Sequence, residues 1–138
     1  MTAPLIARIL GALLLIAGIA GFVPMLAPAV PFDAPVVSLT VAYRMLLGVF
    51  AVNAAHDILH ALFGITGLAA SRGFGSSVAW CRAVGWVYAF LAIFGVIPVT
   101  NTLFGVAPIY GADAGLHAAI ALIALYGGYG PASREESA

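Results

Sequence analysis

The three histidines of this chain stand beside acids. His56 adjoins Asp57, His60 follows one helical turn later, and Asp113 precedes His117 by the same turn. On a helix that spacing puts His56 with His60, and Asp113 with His117, on a common face. With Asn53, one turn before His56, they form a candidate cluster of six: Asn53, His56, Asp57, His60, Asp113 and His117. Imidazole nitrogens from His56, His60 and His117 with a carboxylate oxygen from Asp113 suit zinc, iron or another transition metal. His60 and His117 on two helices also form the natural axial pair for a haem, with Gly64 and Ala121 as the small residues that would open a slot. Proton or small-solute passage is a further use of such groups. The plainest use is structural: histidines that hydrogen-bond between helices, and Asp113 capping a helix start. That last reading is the expectation, and metal or haem binding is the alternative. No catalytic residue is assigned, because the sequence offers no nucleophile beside a base. Cys81 reads as a small apolar residue.

These residues need elements to hold them, and the composition says which. Of 138 residues 64% are hydrophobic and 7% charged, with no net charge. A soluble domain carries roughly a quarter charged residues, so most of this surface is built for lipid. No basic patch exists for nucleic acid, and a single cysteine excludes a disulfide scaffold. Apolar segments of spanning length occur at about 5–27, 52–71, 78–99 and 111–129. A signal peptide ending near Ala27-Pro28-Ala29 is the rival reading of the first. Pro24, Pro28, Pro31 and Pro35 end that segment. The stretch 38–70 would rise roughly 48 Å as one helix against a hydrocarbon core of about 30 Å. We therefore expect a break between Gly48 and Asn53, with 38–50 interfacial and Asn53 near the N-cap of the second span. Ser71–Ser77 reads as a polar turn, Trp80 as an interface anchor, and 131–138 as a disordered tail beyond a single membrane domain, 1–130.

The fold class expected is all-α: an antiparallel four-helix transmembrane bundle of two similar helical hairpins. The similarity rests on an internal repeat. Aligned without gaps, Leu47–Ala61 falls on Phe104–Ala118, matching Gly48 with Gly105, Val49 with Val106, Leu59 with Leu116 and His60 with His117; upstream, Gly21–Pro24 resembles Gly95–Pro98. Arg8, Arg72, Arg82 and Arg134 fall on one side of four spans and Arg44 on the other, which puts both termini in the cytoplasm. The partners expected are the lipid bilayer and other membrane subunits or a second copy.

From Asn53 to Leu68 the chain reads NAAHDILHALFGITGL. Here it resembles a family of small bacterial integral membrane proteins known as domain of unknown function 4383, with an Asn-x-x-His-x-x-x-His-x-x-x-Gly pattern in one helix and Asp-x-x-x-His in the last. The matching positions are Asn53, His56, His60, Gly64, Asp113 and His117, and the resemblance runs from Leu10 to about Gly128. Asp57 stands where the family commonly has a second Asn, and Ala54 where it often has Pro. The resemblance implies four spans in a bacterial plasma membrane. It implies no activity.

Overall fold

The structure, a computed structural model, describes residues 1–134. It is mostly helical. Four α-helices run Ala3–Gly21 (α1), Ala54–Ala70 (α2), Phe74–Val96 (α3) and Ala112–Tyr129 (α4), with two short strands, Arg44–Leu46 (β1) and Phe50–Val52 (β2), between α1 and α2. Of the four, α1 and α3 are long and apolar enough to cross a membrane.

Glycines set the helix pairing. A Cβ on Gly11 would fall against the backbone at Leu68, one on Gly18 against Asp57 and Ala61, and one on Gly21 onto the Asp57 carboxylate. Rising numbers on α1 meet falling numbers on α2, so the pair is antiparallel and in backbone contact. The same holds for α3 and α4, where Gly85 meets Leu125 and Gly95 meets Ala114. Small residues permit this approach because nothing stands between the backbones. The core lies between the two pairs, where Ile6, Leu10 and Leu14 of α1 cluster with Val84 and Tyr88 of α3 and Ile120 and Ala124 of α4.

Several boundaries differ from the sequence reading. α1 stops at Gly21, and 22–27 turn away before Pro28. The break before Asn53 is present, but 38–50 is no helix: β1 pairs antiparallel with β2, Leu46 opposite Phe50, around a turn in which Leu47 and Gly48 both take positive φ. Phe104 and Gly105, the repeat-equivalent residues, do the same. α3 begins at Phe74, inside the expected turn, because the Ser77 hydroxyl donates to the carbonyls of Gly73 and Ala70 and closes the corner in three residues. Trp80 is buried and donates to the Thr66 hydroxyl, so it ties α3 to α2 and does not anchor an interface. The tail is ordered at its start: Pro131–Ser133 form a 3-10 turn with Ala132 buried. The rest of the expected tail, 135–138, lies outside the described residues.

Candidate functional site

Asn53 organises the end of the molecule where the site lies. Its side-chain oxygen accepts from the His56 backbone N–H and caps α2. Its amide nitrogen donates to the carbonyls of Leu39, 2.9 Å away, and Val106, 2.8 Å away. One fully buried side chain thus joins the α1–α2 connection, α2 and the α3–α4 connection. The two connections also bond directly, since Ser38 and Leu39 both donate to the Gly105 carbonyl and the Tyr43 and Tyr110 hydroxyls share a hydrogen bond. Burial, then that bond, pushes the Tyr110 phenol well above its ordinary value, so this closure stays bonded through the physiological range. Together the connections form a cap over the helix ends.

Asn53→Asp tests the cap's chemistry. The variant keeps the capping oxygen but aims an acceptor at two carbonyls. It is expected to lose about 2–3 kcal/mol, as for a buried group left facing an unsatisfied partner, measured by unfolding in detergent micelles. Equal stability of variant and wild type would show that the bonds to Leu39 and Val106 contribute nothing.

Beneath the cap, four of the six sequence-derived residues converge. A ring nitrogen from each of His56, His60 and His117 lies within 4.8 Å of those of the other two. His56 Nε2 stands 3.2 Å from His60 Nε2. Asp113 Oδ2 is 3.4 Å from His117 Nε2 and 3.8 Å from His56 Nε2. All four side chains are buried. His56 Nδ1 lies 2.8 Å from the Pro108 carbonyl; a carbonyl only accepts, so Nδ1 carries the proton and Nε2 presents its lone pair to the cluster. Neither oxygen of Asp113 and neither ring nitrogen of His117 has a hydrogen-bond partner, and His60 Nδ1 has none. Buried polar groups are rarely left so in native proteins. A buried carboxylate with no donor demands a positive partner, and no arginine approaches it among the described ion pairs.

The other two residues serve elsewhere. Asn53 belongs to the cap, and Asp57, also fully buried and unpartnered, faces Gly21 of α1. Asp113 does not cap its helix: Gly111 is the N-cap residue, and no side chain bonds there. The small residues of α2 do not draw α2 towards α4 either. Gly64 packs on Leu15 of α1, and Gly67 on Trp80 of α3 and Gly11 of α1; the space of about 240 Å³ beside His60 opens between α1 and α4 and does not reach His117, and long side chains bridge the gap between α2 and α4. Tyr88 of α3 was missed. It is buried, lies parallel to the His60 ring at 6.2 Å, and meets His117 edge-on at 5.1 Å. In the sequence it is one tyrosine in an apolar run, and no spacing rule singles it out. A cavity of about 40 Å³ adjoins the three histidines and Tyr88.

These arrangements define a helical protein with a buried His/Asp cluster under a loop cap. Residues 5–130 match the family described as Domain of unknown function (DUF4383), and the chain belongs to that family. No curated protein and no solved structure matches it.

Proposed function

We propose that this is a four-span membrane protein in which two similar hairpins, α1–α2 and α3–α4, close on one transition-metal ion held by His56, His60, His117 and Asp113. The observation that carries the reading is the set of four buried donor side chains, two from each hairpin, most of whose polar atoms have no hydrogen-bond partner. Donors held roughly 2.0–2.1 Å from a zinc-like ion lie about 3.3–3.4 Å apart at the corners of a tetrahedron. Two separations in the cluster, 3.2 and 3.4 Å, agree with that, and a third is 3.8 Å. The Pro108 carbonyl on His56 Nδ1 is the usual outer support for a metal-ligating histidine. A haem between two of the histidines fits less well: small-molecule pockets run to about 300–1,000 Å³, while the space touching all three histidines is about 40 Å³ and the one of about 240 Å³ between α1 and α4 touches His60 alone.

The membrane reading rests on all four helices. α2 and α4, with 17 and 18 residues, are shorter than α1 and α3, yet their outward positions are apolar, among them Ile58, Leu62, Ile65 and Leu122. The repeat supports two hairpins of one design, since the glycine contacts of α1 on α2 recur in α3 on α4. Arginine placement favours a cap outside and both termini cytoplasmic, and the family resemblance favours a bacterial plasma membrane. Partners would be lipid and other membrane subunits or a second copy. A cysteine in place of exposed Phe32 in the cap should react with an impermeant maleimide on intact cells. One in place of Ser133 should react only after permeabilisation; labelling of both in intact cells would refute the topology.

A second reading, an accessory protein whose cluster only packs helices, is favoured by the direct His56–His60 contact. Elemental analysis and chelator challenge of the detergent-purified protein separate the two. The metal reading expects about one zinc or iron per chain, lost on acidification because only neutral imidazole coordinates. Metal-free protein from metal-replete cells that takes up neither ion would leave the packing role alone.

A further inference from the structure

Asp57 is the only acid of α2 and takes no part in the cluster. It is fully buried, and neither of its oxygens has a hydrogen-bond partner. No arginine pairs with it among the described residues. Its carboxylate lies against Gly21, the last residue of α1, so closely that a Cβ there would fall among its Cγ and oxygens. The backbone at this end of α1 is short of donors. Phe22 N–H bonds the Ile19 carbonyl and Val23 N–H that of Ala20. The last turn thus tightens to i,i+3, and the Gly18 carbonyl loses the i,i+4 donor that Phe22 would have supplied. Gly18 and Gly21 share the face turned to α2, since a Cβ on either would meet Asp57. Helix carbonyls point towards the C-terminus, so the Gly18 oxygen is directed to the level at which the carboxylate lies.

Charge decides what such a place can hold. A helix carries roughly half a positive charge at its N-terminus and half a negative charge at its C-terminus. Asp57 stands in the first turn of α2 and against the last residue of α1, so the two ends roughly cancel and about one negative charge remains. A single monovalent cation balances it, whereas a divalent ion would leave a net positive charge buried. The donors are hard oxygens, without the nitrogen and sulfur that transition metals favour. Helix C-terminal carbonyls serve sodium in this way where transporter helices break off inside a membrane. We propose that Asp57 and the C-terminal carbonyls of α1 bind one alkali cation of the sodium class, at a site separate from the His/Asp cluster. The ion ties the end of α1 to the first turn of α2, so its binding stabilises the fold.

The test uses the full chain in detergent, freed of transition metals, with sodium chloride exchanged for choline chloride at constant ionic strength. Radioactive sodium on the protein is counted by scintillation proximity, and Tm is followed across the exchange. Wild type should hold one sodium per chain, and its Tm should rise by about 4–6 °C for each tenfold increase in sodium beyond Kd. Asp57→Asn keeps the size of the side chain and removes its charge. Its sodium affinity should fall roughly tenfold or more, and its Tm should cease to follow sodium. His117→Ala, which strips the other site, should keep the sodium response, so loss of the metal reading leaves this site standing. Wild type that binds no sodium, or melts alike in sodium and choline, overturns the site whether or not the variants fold. A sodium response retained by folded Asp57→Asn overturns it as well, because the ion then lies elsewhere.

Discussion

Replacing His117 with alanine is expected to erase most of the metal-dependent stability of the folded protein. At a free ion concentration about 1,000 times Kd, a bound metal stabilises the fold by about 4.1 kcal/mol. An affinity roughly 100-fold weaker leaves only about 1.4 kcal/mol of that, and removing a direct ligand should cost at least the 10–100-fold of losing an outer support. Packing cannot imitate the result. His117 is fully buried, so truncation also leaves a hole costing about 2–4 kcal/mol, but that loss is the same with and without metal. The diagnostic quantity is the difference in Tm between metal-loaded and chelated protein: large in wild type, small in His117→Ala. Asp57→Asn, at a carboxylate that faces Gly21 outside the cluster, should keep the wild-type difference. Identical, chelator-insensitive melting of wild type and His117→Ala would end the metal reading.

Gly64→Ala should destabilise the molecule, while the same change at Gly115 should stabilise it. A Cβ on Gly64 would lie 2.5 Å from the Leu15 nitrogen and 2.6 Å from its Cβ. These are backbone and near-backbone atoms, so no side-chain rotation relieves the clash and α1 must move off α2. Overpacking of this kind costs about 1–3 kcal/mol, offset by up to about 1 kcal/mol of improved helix propensity. The net expected is a loss of about 1–2 kcal/mol. A Cβ on Gly115 meets nothing within 4 Å, so only the propensity gain of up to about 1 kcal/mol remains. Denaturation of both variants in one detergent measures the contrast. Moving α1 off α2 also disturbs His56 and His60, so Gly64→Ala should weaken metal uptake although it lies a helical turn from the nearest donor. Two variants with the same sign and size would mean that the close approach of α1 and α2 carries no energetic weight.

Much of this was legible in the residues. The apolar composition and the lengths of its runs pointed to helices, because a long buried segment is best served by a backbone that satisfies its own hydrogen bonds. The length of the apolar run 38–70 pointed to a break before Asn53, which the structure has, and the spacing of four put His56 with His60 and Asp113 with His117. Local rules carry that information, since a helix has one period. The break's form did not follow: the strands need the positive φ of Leu47 and Gly48, and an apolar run reads alike as strand or helix over so few residues.

Only the tertiary structure decided which faces meet. Glycines look the same from sequence whether they face a neighbouring helix, a cavity or lipid. Here Gly64 receives Leu15 of α1, and Gly67 receives Trp80 of α3 and Gly11 of α1, which leaves the histidines to span the wider gap to α4. That pairing turns Asp57 from the cluster to Gly21, brings Tyr88 in from a helix with no polar signature, and leaves about 40 Å³ of space touching all three imidazoles. The types and periods of the ligands are one-dimensional facts, written along each helix. Their convergence depends on how two hairpins rotate against each other, which is set by the sum of many apolar contacts and by the Asn53 cap, and no short stretch of the chain contains that sum.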